Sequence, residues 1–207
     1  MRIGHWIIRA LCYVAVIAHT YVHANDAQQL YQSCVACHGE QGQGNTALNA
    51  PALAGQYDWY LQRQLQYFAT GIRGSQAEDT HGKIMVPFAK SITDEKQQQA
   101  LVTYISELEP VTAETDIKGD LKNGSRYYHG KCGACHGGQA QGNTSFNAPK
   151  LTGLDPQYFL RQMNHFQLGI RGQHQDDKWG RQMAMMSKTI SDKELKDILF
   201  FISEQGE

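Results

Sequence analysis

The sequence predicts an all-α protein built as two copies of one small helical domain. Three observations carry this. A long stretch recurs at a constant offset of 98 residues. Each half has segments whose apolar residues fall at helical spacing, framed by capping residues. Period-two alternation of the kind that marks strands is scarce.

The duplication is best seen at CVACHGEQGQGNTALNAP, Cys34 to Pro51, and CGACHGGQAQGNTSFNAP, Cys132 to Pro149. The register then holds without a gap. Leu53 and Gly55 match Leu151 and Gly153; Tyr60, Arg63, Gln64 and Phe68 match Tyr158, Arg161, Gln162 and Phe166. Gly71-Ile72-Arg73-Gly74 matches Gly169-Ile170-Arg171-Gly172, and Met85 matches Met183. A period this long is a duplicated domain, since solenoid repeats run about 20–50 residues.

Each half is expected to hold three helices separated by long loops. The first, about 27–35, delivers the Cys-rich pentad. The second spans Asp58 to Thr70, and its copy follows Asp155-Pro156, an N-cap with Pro at the first helical position. Glycine ends both, at Gly71 and Gly169. The third starts at Thr93-Asp94-Glu95, and its copy at Ser191-Asp192-Lys193-Glu194 reads as a capping box. The loops 39–56 and 74–91 carry little apolar surface. Domains this small bury a limited core, so a bulky apolar group inside each half is expected.

The N-terminus begins with Arg2 and Arg9, continues with the short apolar run ALCYVAVIA and offers Val22-His23-Ala24. This is the layout of a secretory signal cleaved after Ala24. The apolar run is too short to span about 30 Å of hydrocarbon. The expected organisation is therefore signal 1–24, first domain 25–110 and second domain 111–207. The polar stretch Glu109 to Thr115 forms the boundary. Cys12 leaves with the signal, and the remaining four of the five cysteines all lie in the pentads. No membrane span is expected after cleavage, and the mature chain is expected in an oxidising compartment. Charge is nearly balanced, with formal net charge −1, and nothing points to a nucleic-acid partner.

An exported thiol pair normally becomes a disulfide, so something else must use these thiols. Cys34, Cys37 and His38, and Cys132, Cys135 and His136, form two C-x-x-C-H pentads, the pattern for c-type haem attachment. The thiols add to the haem vinyl groups, and the His ligates the iron. A thioredoxin-like pair would need a βαβ context, which is absent. One zinc shared by both pairs would leave the long duplicated stretches unexplained. Two covalently bound haem c groups are expected. Pro51 and Pro149 close the glycine-rich loops, either as plain turn prolines or by presenting a carbonyl to the far N–H of the axial His.

A sixth iron ligand is expected from Met85 and Met183. Met/His ligation raises the reduction potential. Met185 and Met186 stand beside Met183; the offset favours Met183. Met163 reads as core. His81, His165 and His174 have no His counterpart in the other half and read as surface or propionate-contact residues. Arg73 and Arg171, like Arg63 and Arg161, are paired across the halves. The first pair is expected at haem propionates, the alternative being solvated loop charges.

Two tandem C-x-x-C-H domains, each followed by N-A-P-x-L, a Tyr- and Gln-bearing helix and a Met segment leading into a last helix, resemble cytochrome c4, the dihaem branch of class I cytochromes c. The resemblance covers essentially the whole mature chain. It implies two tandem class I cytochrome c domains, each a few helices around a covalent haem, and a periplasmic electron carrier. It implies thioether sites at Cys34, Cys37, Cys132 and Cys135, and axial pairs His38/Met85 and His136/Met183. One departure stands out. The family's Met-x-Pro-Met is Met85-Val86-Pro87-Phe88 in the first copy. It is Met183-Ala184-Met185-Met186 in the second, whose missing proline implies a more mobile loop.

The expected function is single-electron transfer between redox proteins: a membrane oxidase or quinol-oxidising complex, or a periplasmic dehydrogenase. Catalysis is not expected, because two six-coordinate irons leave no open position. The alternatives are a dihaem subunit of a periplasmic dehydrogenase, such as the flavin-containing sulfide dehydrogenase, and a dihaem peroxidase. Charge is unevenly shared. Residues 25–110 hold nine acidic and five basic side chains, and residues 111–207 hold eleven and twelve. That asymmetry suits two different partners, the alternative being a plain solvated surface.

Overall fold

A computed structural model describes residues 26–110 and 117–205. The expected signal segment with Cys12, and most of the expected boundary, lie outside the described residues. The described chain is helical, with two isolated bridges, Asn45–Ala50 and Asn143–Ala148, as its only extended pairing. None of its helices is long and apolar enough to cross a membrane.

The first half holds α1 (26–38), α2 (Asp58–Thr70), α3 (Thr80–Ser91) and α4 (Glu95–Glu107). The second holds α5 (Leu121–Lys131), the one-turn α6 (Gly133–His136), α7 (Pro156–Leu168), α8 (Lys178–Ser187) and α9 (Asp192–Ser203). Both halves therefore contain a helix that the sequence reading placed in a loop. In α3, Pro87 sits inside the helix, where its missing N–H breaks the backbone ladder. The cap compensates at the other end, since the Asp79 side chain accepts from Gly82 N–H. In the copy, Asp177 does the same for Gly180. The missing proline does not loosen the second copy: α8 is a capped helix.

Each half has its own core. Tyr31, Leu61, Ile92, Leu101, Val102 and Ile105 fill the first. The second is larger, adding Phe159, Met163, Ile198, Leu199, Phe201 and Ile202 around Tyr128. Where α5 crosses α9, a Cβ on Gly124 would strike the carbonyl of Asp197. Glycine lets the helices touch there. Ser191 and Glu194 complete both bonds of the capping box on α9.

The repeat slips by one residue in its first helix. Tyr31 donates to Gly39 O at 2.7 Å, and Tyr128 donates to Gly137 O at 2.6 Å. Gly39 and Gly137 are at the repeat offset, but the tyrosines are not. The break between α5 and α6 at Cys132 takes up the extra residue.

Candidate functional site

The end of α1 brings Cys34, Cys37 and His38 together, because residues three and four apart share a helix face. His38 is 5% exposed. Its Nδ1 lies 2.9 Å from the carbonyl oxygen of Pro51. In the second half, His136 is equally buried and its Nδ1 lies 2.9 Å from Pro149 O. A carbonyl only accepts, so Nδ1 carries the proton in each bond. The neutral ring then keeps its free lone pair on Nε2, the form a metal ligand needs. Burial lowers the pKa of both imidazoles, against a smaller opposing effect of the proline carbonyls.

The loop between His and Pro folds on itself. Gly44 has φ +82, and a Cβ there would press on the backbone of Pro51 and Ala52. Gly142, at φ +85, meets Tyr57 and Lys150 in the same way. These glycines serve a close backbone approach within the loop.

Burial raises the Cys34 thiol, and it pushes the Cys132 thiol up to about 11. Both stay protonated at neutral pH. A disulfide-exchange site would lower a thiol pKa instead. Among the described residues no group of three or more His, Cys, Asp and Glu is placed to hold a metal ion by itself.

Met85 lies on α3 and Met183 on α8, both half-buried. Met183 packs against the second core, while Met185 is 65% and Met186 38% exposed.

The two halves meet across a buried polar seam with approximate two-fold symmetry. Arg73 donates to Gln64 Oε1 (2.8 Å), Tyr158 Oη (3.1 Å) and Gln162 Oε1 (2.9 Å). Arg171 mirrors it, donating to Gln162 Oε1 (2.8 Å), Tyr60 Oη (3.3 Å) and Gln64 Oε1 (3.0 Å). Arg63 reaches Asn147 O at 3.0 Å, and Arg161 reaches Asn49 O at 2.8 Å. Arg73 and Arg171 also stack over Phe68 and Phe166, each at 4.6 Å. These arginines are not solvated loop charges. Sequence reading noted most of these residues as repeated but missed the reason. Under two-fold symmetry every contact is made twice. His165 is likewise no surface residue; it is 7% exposed and faces Asp79.

Several polar atoms at this seam are buried without a protein partner: Nε of Arg63, Arg73 and Arg161, Nε1 of Trp59 and Nδ1 of His165. Native interiors rarely leave such groups unpaired. A group bearing carboxylates would satisfy them, as haem propionates do.

The family model for cytochrome c matches residues 24–109 and again 121–205. Cytochrome c4 of Azotobacter vinelandii is 28% identical over 195 residues, covering 90% of each chain. The solved structure of Acidithiobacillus ferrooxidans cytochrome c4 superposes with a TM-score of 0.68 at 27% identity. It covers 84% of this chain and 98% of that one. The chain belongs to the cytochrome c family, in its dihaem cytochrome c4 branch. As a dihaem cytochrome it carries two covalently bound haem c groups and transfers electrons. The paired thiols, the tautomer of each His and the unpartnered donors at the seam all fit that group. The thiosulfate dehydrogenase electron acceptor of Thiomonas intermedia (strain K12) is 35% identical over 153 residues, 67% of this chain and 64% of that protein.

Proposed function

We propose that this cytochrome is exported, loses residues 1–24 and carries single electrons between redox proteins in the periplasm, without catalysing a reaction itself. Haem supplies a one-electron iron couple. Cys34, Cys37, Cys132 and Cys135 hold it covalently. His38 with Met85, and His136 with Met183, would ligate the two irons. The observation that carries this reading is the matched pair of His–Pro bonds, each leaving Nε2 free to ligate. Burial of Met183, beside the exposed Met185 and Met186, supports Met183 as the second ligand. Arg73 and Arg171 hold the seam on which the propionates would rest.

The outer faces of α3 and α8 support brief docking. Exposed Ile84 and Phe88 lie between Lys83 and Lys90; exposed Met185 and Met186 lie between Arg181 and Lys188. A small apolar centre rimmed by cations suits a partner with an acidic rim, with contacts that weaken in salt.

The second reading is an acceptor bound to a periplasmic dehydrogenase, and the Thiomonas intermedia relative favours it. Optical spectra of the oxidised and reduced protein with carbon monoxide and peroxide, beside a haem count, test the carrier reading. Two haems and no binding are expected; binding at either haem would point to an enzyme or sensor. Co-purification of a dehydrogenase would favour the second reading.

A further inference from the structure

In the second half, the residues just before α5 lie along α9. Ile117 packs against the second core. A Cβ on Gly119 would meet Phe200 Cβ at 2.9 Å and the backbone of Lys196 and Asp197 at 3.2 Å. The Asp120 N–H donates to Asp197 Oδ1 at 2.9 Å. Residues 117–120 are thus a strap over one face of α9.

The first half pairs the matching helices in the same way. Tyr31 on α1 and Tyr104 on α4 pack with ring centroids 5.6 Å apart, and Tyr128 and Phe201 repeat the pair at 5.1 Å. These helices match one residue off the main repeat, as the N-caps Asp94 and Ser191 show. Thr103 therefore stands where Phe200 does, and Ala100 where Asp197 does. Among the described residues this place on α4 is a groove of about 400 Å³, with Ala27, Ala100, Thr103 and Tyr104 among its walls. It is the counterpart of the place that the strap fills on α9.

Residues 1–25 precede the described chain and join α1 beside Ala27, at the rim of the groove. The same match sets Val22 where Gly119 lies. The exchanges compensate in volume: α9 has the larger Asp197 and Phe200 under a glycine, and α4 has the smaller Ala100 and Thr103 under a valine. Packed interfaces accept substitution best when total volume is kept.

We propose that residues 20–24 are the strap of the first half: in any form of the chain that retains them, they lie in this groove with Val22 against Ala100 and Thr103. Cleavage after Ala24 then acts on the fold as well as on location. It takes the strap away and opens the α1–α4 face to solvent.

The test compares two haem-loaded forms, one starting at residue 19 and one at residue 25, by backbone hydrogen exchange. The α4 amides are expected to exchange about tenfold more slowly in the longer form, well within what burial of one valine is worth. Those of α9 should not change. Val22→Asp in the longer form puts a charge into an apolar groove, and should return α4 to the rate of the shorter form. Residue 22 precedes α1, so the variant keeps the fold of the shorter form. Equal exchange in the two forms, slowing limited to the start of α1, or a Val22→Asp chain as slow as its parent would overturn the strap. Slowing in the shorter form that grows with protein concentration would give the groove to a second copy, and would overturn it too.

Discussion

His38 Nδ1 donates to the carbonyl oxygen of Pro51 at 2.9 Å, and His136 repeats the bond to Pro149 at the same length. Proline has no N–H and a fixed φ, so it holds that carbonyl with little competing freedom. Pro51→Gly or Pro149→Gly is expected to lower stability by about 0.5–1 kcal/mol through the looser unfolded chain. Urea denaturation of the haem-loaded protein measures it.

Changing both Cys34 and Cys37 to Ser is expected to leave a protein with one covalent haem, and changing Cys132 and Cys135 the complementary one. Intact mass reads the loss directly. Retention of both haems in either variant would sink the assignment of thioether sites.

The methionines separate by burial. Met183→Leu is expected to open the second haem to carbon monoxide, and Met85→Leu the first. Met185→Leu and Met186→Leu, at exposed positions, should leave the spectra unchanged. An open haem in either of the last two would move the ligand.

Arg73→Ala strips three hydrogen bonds from a buried seam and leaves the oxygens of Gln64 and Gln162 with Arg171 as their one remaining arginine donor. A loss of about 2–3 kcal/mol is expected in chemical denaturation. Lysine should not restore it, since a point charge cannot replace the planar fork. Arg73 and Arg171 share Gln64 and Gln162, so the double variant should deviate from additivity.

Glu194 links the α9 capping box to Lys131 at 3.0 Å. Its pKa is lowered to about 2, first by the backbone N–H of Ser191 and then by Lys131. A lowered carboxylate pKa means the unfolded chain binds the proton more readily. The contribution to stability is present above the ordinary carboxylate range and is lost as pH falls towards about 2. Glu194→Gln should flatten that part of the stability profile, read as the denaturation midpoint between pH 5 and pH 2.

The sequence by itself determined the duplication, the two C-x-x-C-H pentads and the helix ends marked by caps. Cys34, Cys37 and His38 are neighbours in the chain, so their chemistry is written locally. So are the Asp155-Pro156 start of α7 and the Ser191 capping box on α9. The methionine helices were not legible, because Pro87 and Gly82 read as loop residues and the cap that offsets them is buried by the other half. Tertiary structure alone decided the seam. Arg161 and Asn49 stand 112 residues apart, and no local pattern signals that such residues meet. Two folded copies had to pack about a two-fold axis before the repeated arginines and glutamines acquired their partners across the seam. Packing of the two copies against each other is the physical reason these side chains meet.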